Sequence, residues 1–248
     1  MLPASAMAAS EPIFNVPKAV VLAIALMAGV QIARDLLPDE ADVTFLLALA
    51  FIPARYADAA PELPGGYLTA VTSFVTYMVV HAGWVHLLVN VMWMLAFGTA
   101  VARRVGGWKF YAFSILCGVA GALMHLAFHW GDLAPVVGAS AAISGQMAGA
   151  LRFVFGAKRN PWERTPDFVN APLATLSETF KDPRIMTFLV LWLALNVYFG
   201  LSAVMVRGAE GNIAWEAHIG GFLCGLLLFG FFDEKRAQGA EPPMASSV

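Results

Sequence analysis

Charge is what this sequence has least of. Asp, Glu, Lys and Arg make up 13% of its 248 residues and hydrophobic residues 59%, too little polar surface to solvate a water-soluble domain. The composition implies a bilayer as the solvent. Neither sign of charge dominates: the formal net charge is −2, and the basic residues fall between apolar runs instead of forming a stripe. Nucleic acid is therefore excluded as a partner. Cysteine is scarce as well, and Cys117 and Cys224 each sit inside an apolar run, where a free thiol behaves as a small hydrophobe, so no disulfide framework is expected. There is no internal repeat, hence no inverted-repeat signature of a secondary transporter or channel.

What the sequence has is long apolar runs. About 20 such residues are needed to cross the hydrocarbon core. Six segments qualify, at about 17–36, 86–104, 109–130, 139–157, 185–206 and 214–233. The apolar stretch from about Ala19 to Val30 in the first follows Lys18 as a signal peptide would. Gln31, Arg34 and Asp35 come next in place of a small-residue cleavage site, so a retained helix is expected. Between the first and second runs, the apolar stretch Val43 to Pro53 is too short to span and is bracketed by Asp42 and Arg55, which predicts a re-entrant or interfacial element within the 37–85 connection.

These readings give an all-α membrane protein. Residues 1–16 form a short cytoplasmic N-terminus, 17–233 one six-helix transmembrane domain with a long, partly embedded first loop, and 234–248 a disordered cytoplasmic tail. Cytoplasmic loops carry the excess of Lys and Arg. With both termini inside, Lys18, Arg103, Arg104, Lys109, Lys181 and Arg184 fall on the cytoplasmic side with the basic residues of the polar 157–183 loop and the tail, against Arg34, Arg55 and Arg207 outside. Trp84, Trp108, Trp130 and Trp215 fall at span ends, where an aromatic belt forms.

Polar residues inside a membrane need a partner or a function. Ser140, within Gly138-Ala139-Ser140-Ala141-Ala142, opens the fourth run, where unpaired N–H groups and the helix dipole stabilise an oxyanion. Taken alone, Ser140 reads first as an N-cap and Ser144 as a small packing residue. The soluble elbow G-x-S-x-G is not satisfied, since residue 142 is Ala. His218 in the last run has no acidic neighbour on its own face, Glu216 being two residues away; alone it is also readable as a structural hydrogen-bonder. The two runs carry Gly145-x-x-x-Gly149 and Gly221-x-x-x-Gly225, faces that let backbones approach closely enough for a hydroxyl to meet an imidazole. His86 and Asn90 share one helix face and suit an oxyanion hole or an interhelical hydrogen-bonding pair. His125 and His129 have the i, i+4 spacing of metal ligands, but no carboxylate or third His stands at metal spacing in the sequence, so a place at the membrane interface is expected and no metal.

His86-x-x-x-Asn90, Gly138-x-Ser140 and Ala217-His218-x-x-Gly221, in that order on apolar helices, resemble the rhomboid family of intramembrane serine proteases over about Val71 to Asp233, and Tyr77 to His86 also looks like the family's approach to its second helix. The resemblance implies a nucleophile at Ser140 and a general base at His218, with no Asp. It implies that His86, Asn90 and the backbone N–H of Ser140 hold the oxyanion, and that Gly138 lets the chain turn at the nucleophile. It further implies a cavity opening outward beneath a cap at 201–213, substrates that are membrane-anchored proteins with a transmembrane segment unravelling near a small residue, no metal, ATP or other cofactor, and a place in a bacterial inner membrane.

Ala141 stands where the family usually has Gly, which bears on how closely a substrate backbone approaches. Thr72-Ser73 and Ala102 occupy places where many bacterial members carry Trp-Arg and Glu; losing both partners of a pair is less harmful than losing one, so this reads as a subgroup difference. The alternative is a catalytically weak or inactive rhomboid-like binder of membrane proteins. Other intramembrane proteases fail by motif: there is no His-Glu-x-x-His, and Trp130-Gly131-Asp132 lacks the first Gly of Gly-x-Gly-Asp, leaving Asp132 as a loop residue.

Overall fold

The structure is a computed structural model that describes residues 16–57, 59, 61–156, 169–201 and 214–233. The expected cytoplasmic N-terminus as far as residue 15, the tail, and residues 157–168 of the 157–183 loop lie outside these residues. Helix α1 runs Lys18–Asp35 behind Pro17, whose fixed φ and missing N–H cost nothing at a helix start. Pro38 ends the turn that follows, and α2, Asp39–Leu49, opens with Asp39, Glu40 and Asp42 on the positive end of its dipole.

The apolar stretch read as one element from Val43 to Pro53 is divided. Helix α2 stops at Leu49, Ile52 is extended as a residue before proline must be, and a 3-10 turn follows at Pro53–Tyr56. A further helix, α3 at Gly66–Thr76, was not expected; Gly65 reaches φ 83° to start it.

The remaining helices are α4, Trp84–Val105; α5, Gly107–Phe128; α6, Ser140–Val154; α7, Leu176–Lys181; α8, Pro183–Leu201; and α9, Trp215–Phe232. Helix α4 contains a π turn at Met94–Gly98, where a methyl on Gly98 would come to 2.8 Å from Gln146 Oε1. Among the described residues α4, α5, α8 and α9 are long and apolar enough to cross a membrane. Helix α1 has 18 residues with charges at its ends, Lys18, Arg34 and Asp35. Helix α6 has 15 residues, about 22 Å at the usual rise and short of the hydrocarbon thickness. It tolerates this because every residue from Ala141 to Phe153 is buried by protein, so the lipid does not set its length. Helix α8 is the opposite case: Val190, Leu191, Leu195 and Tyr198 are exposed, an apolar surface that lipid and not water accommodates.

Glycines bring α6 against α9. A methyl on Gly221 would lie 2.0 Å from the Ala141 carbonyl oxygen, and one on Gly225 would lie 2.2 Å from that of Gly145. Gly149 has a different neighbour, the ring of Phe229, which stacks on Phe153. Helix α5 closes the third side, with Gly121 beside Ala141 and Ala217.

The two ends of the bundle differ in charge. At one end Tyr111 Oη donates to the Ala19 carbonyl and Arg104 pairs with Asp233 at 2.7 Å, both side chains buried. The start of α1 and the end of α9 therefore share a face, which also carries Lys18, Arg103 and Lys109. The other end joins Trp84 to Asp35 and carries Asp39, Glu40, Asp42 and Asp132. There Arg34 is buried, holding Asp42 at 2.6 Å and the His81 carbonyl.

Candidate active site

Ser140 is placed by the loop before it and by what that loop rests on. Phe51 and Val136 exchange backbone hydrogen bonds of 3.0 and 2.8 Å, and Ala54 N–H donates to the Asp132 carbonyl. The divided first-loop stretch thus forms the bed for residues 132–137. Gly138 N–H donates to the Tyr77 carbonyl at 2.8 Å, and φ at Gly138 is 109°, a region L side chains rarely adopt. Helix α6 starts immediately afterwards. Its first ladder bond is Ile143 N–H to the Ala139 carbonyl, so the N–H of Ser140 belongs to the unpaired first turn.

Ser140 Oγ lies 2.7 Å from His218 Nε2 across the α6–α9 contact. The other ring nitrogen, Nδ1, is 2.5 Å from Asn196 Oδ1 on α8. The Asn196 amide nitrogen donates to the Trp192 carbonyl at 2.8 Å, which turns its oxygen toward His218. An amide oxygen only accepts, so Nδ1 carries the ring proton and Nε2 presents a lone pair to the hydroxyl. Sequence reading missed Asn196. Its signal was there: an Asn in the middle of an apolar span calls for a partner.

His86 is the second imidazole at this turn. A methyl on Gly138 would come to 2.8 Å from both Cε1 and Nε2 of His86, so the ring edge lies directly against the Gly138 backbone. Ala82 N–H donates to His86 Nδ1 at 3.4 Å, which leaves the proton on Nε2, the nitrogen facing the turn. His81, buried, packs edge-on to His86 with centroids 5.2 Å apart. Asn90 is buried too, but its amide donates to the His86 carbonyl of its own helix, and its Oδ1 has no hydrogen-bond partner. Ser144 Oγ donates back to the Ser140 carbonyl at 2.8 Å, an intrahelical bond. Ala141 is buried, its methyl against Gly121, where a second methyl would be 2.6 Å away. The 201–213 connection expected as a cap lies outside the described residues from 202 onward.

The pair His125 and His129 is not without a carboxylate. Helix α9 brings Glu216 to it: Oε1 is 3.1 Å from His129 Nε2 and Oε2 is 3.6 Å from His125 Nδ1. Asp132 accepts from His129 Nδ1 at 2.8 Å. Glu216 stands 87 residues from His129 in sequence, so no local spacing rule could have joined them. Burial opposes charge on His129, yet its hydrogen bonds to Glu216 and Asp132 and the charges of both carboxylates raise its pKa above the ordinary value.

The family model described as Rhomboid domain matches residues 69–233. RHOMBOID-like protein 4 of Arabidopsis thaliana is 26% identical over 171 residues, covering 65% of this chain and 36% of that protein. Rhomboid protease GluP of Bacillus subtilis (strain 168) is 30% identical over 157 residues, covering 63% of this chain and 24% of that protein. The chain thus spans about a third of one relative's length and about a quarter of the other's.

Proposed function

This chain belongs to the rhomboid family, whose domain covers most of it, and on that premise we propose that it is an intramembrane serine endopeptidase with Ser140 as nucleophile and His218 as general base. The observation that carries the reading is the 2.7 Å contact between Ser140 Oγ and the unprotonated nitrogen of His218 at a helix N-terminus. The name of the Bacillus subtilis relative, a rhomboid protease, supports the same class of chemistry.

In the proposed reaction, Ser140 Oγ attacks a substrate carbonyl as its proton passes to His218 Nε2. The imidazolium so formed keeps its Nδ1–H on Asn196 Oδ1, which makes Asn196 a positioning residue. The oxyanion takes the Ser140 N–H and His86 Nε2–H; Asn90 joins them by turning its amide from the His86 carbonyl. His218 then protonates the leaving amine as the C–N bond breaks, and water hydrolyses the Ser140 ester by the same steps in reverse. Gly138 supplies the turn, and Gly145, Gly221 and Gly225 the close helix approach that keeps the two side chains in contact. The substrates are transmembrane proteins held in the same bilayer.

The alternative of a weak or inactive binder drew on Ala141. The burial of that methyl against Gly121 turns it toward α5. The orientation proposed is that of a bacterial inner membrane with the basic end, and so both termini, in the cytoplasm.

The test is cleavage of single-span reporter proteins by the purified protein in detergent. Cleavage that survives chelator and vanishes in Ser140→Ala and His218→Ala, while Ser144→Ala stays active, supports the reading. His86→Ala should cost on the order of 10² in rate. A dead Ser144→Ala with a live Ser140→Ala would overturn the assignment.

A further inference from the structure

Apart from the Ser140–His218 pair, a second cluster of titratable side chains lies where the end of α5 meets the first turn of α9. His125 and His129 stack with ring centroids 4.3 Å apart, and Glu216 reaches both. One donor atom from each of the three lies within 4.8 Å of the others. His125 is 6% exposed, and its Nδ1, aimed at Glu216 Oε2 across 3.6 Å, has no hydrogen-bond partner. That distance is too long for a hydrogen bond, so a buried imidazole nitrogen and a buried carboxylate oxygen face each other without one.

The fourth residue supplies orientation. Asp132 holds His129 Nδ1 at 2.8 Å and directs Nε2 at Glu216, the carboxylate–imidazole arrangement that fixes a ring for metal binding. The cluster is open on the His129 side, whose side chain is 34% exposed, while Glu216 is buried.

We propose that His125, His129 and Glu216 form a binding site for one divalent transition ion of the zinc class, with Asp132 orienting His129. Two imidazoles and one carboxylate suit zinc, cobalt or nickel and not calcium or magnesium, which take oxygen ligands. Tetrahedral bonds of about 2.0–2.1 Å put donor atoms roughly 3.3 Å apart. The cluster therefore has to contract by about an ångström or more at its widest when the ion binds. The ion would tie α5 to α9 two residues before His218, and through Asp132 to the loop that leads to Ser140. It takes no part in the peptide cleavage proposed above, and the site stands whether or not that cleavage occurs.

The experiment is calorimetric titration of Zn²⁺ into the full chain in detergent after chelator treatment and desalting. One ion should bind per chain, with affinity lowered at least about tenfold in His125→Ala, Glu216→Gln and Asp132→Asn. Co²⁺ spectra of Glu216→Cys give a second reading that does not depend on loss of binding: a thiolate-to-cobalt charge-transfer band absent from wild type is expected. Zinc binding that is the same in all three variants, no zinc binding by folded wild type, or a Glu216→Cys cobalt spectrum without the new band would each overturn the proposal.

Discussion

A neutral imidazole takes a proton from a hydroxyl only if its accepting nitrogen is bare, and which nitrogen is bare is decided by what the other one touches. In this chain the deciding group is an amide. Asn196 Oδ1 accepts from His218 Nδ1, and the Trp192 carbonyl keeps the amide from flipping. An amide orients the ring without adding a negative charge beneath the imidazolium. Asn196→Leu is accordingly expected to lower kcat by on the order of tenfold to a hundredfold with KM little changed, while Asn196→Asp, which keeps an acceptor on Nδ1, retains more activity. Reporter cleavage kinetics check this. An unchanged kcat in Asn196→Leu would remove Asn196 from the mechanism. Ser140, His218, His86 and Gly138 were legible as candidates because polar groups and glycines at fixed spacing stand out against an apolar background. Asn196 and Glu216 were not picked out, since each acts through a partner on another helix, His218 lying 22 residues from Asn196 and His129 lying 87 from Glu216.

Helices α6 and α9 owe their contact to the absence of side chains. A methyl on Gly221 meets backbone at 2.0 Å, which no rotamer change relieves, so Gly221→Ala should push the helices apart. We expect a loss of about 1–3 kcal/mol in stability and a larger fractional loss of activity, because Ser140 and His218 sit on the two helices that separate. Gly29 on α1 has nothing within 4 Å of the same methyl, and Gly29→Ala should be neutral or stabilising by up to about 1 kcal/mol. Unfolding in detergent, followed alongside cleavage, checks both; equal effects of the two substitutions would contradict the packing account. The small-xxx-small spacing was visible in the sequence, as were four of the six apolar runs to within two residues at each end, while the end of the run read as 185–206 lies outside the described residues. The short α6 was overextended at its C-terminal end, because composition does not say where lipid stops and protein begins. The divided stretch at residues 50–56 was missed for a related reason: Phe51 and Ala54 pair with Val136 and Asp132, and that pairing is tertiary.

The molecule as a whole is polarised. Arg104 and Asp233 close one end together with the start of α1, and acidic residues mark the other. With the start of α1 and the end of α9 at the same end and Lys and Arg concentrated there, both termini are predicted on the cytoplasmic side. A green fluorescent protein fused to the C-terminus should fluoresce in bacterial cells, and a periplasm-active phosphatase fused there should be silent; the reverse pattern would invert the orientation and with it the face from which water reaches Ser140.

The most direct measurement is the site at which a fluorophosphonate reacts with the wild-type protein in detergent, mapped by mass spectrometry, since such reagents phosphonylate an activated serine and spare ordinary hydroxyls. The account predicts a single adduct on Ser140, abolished in His218→Ala and preserved in Ser144→Ala. An adduct on Ser144, or labelling of Ser140 that persists without His218, would contradict it.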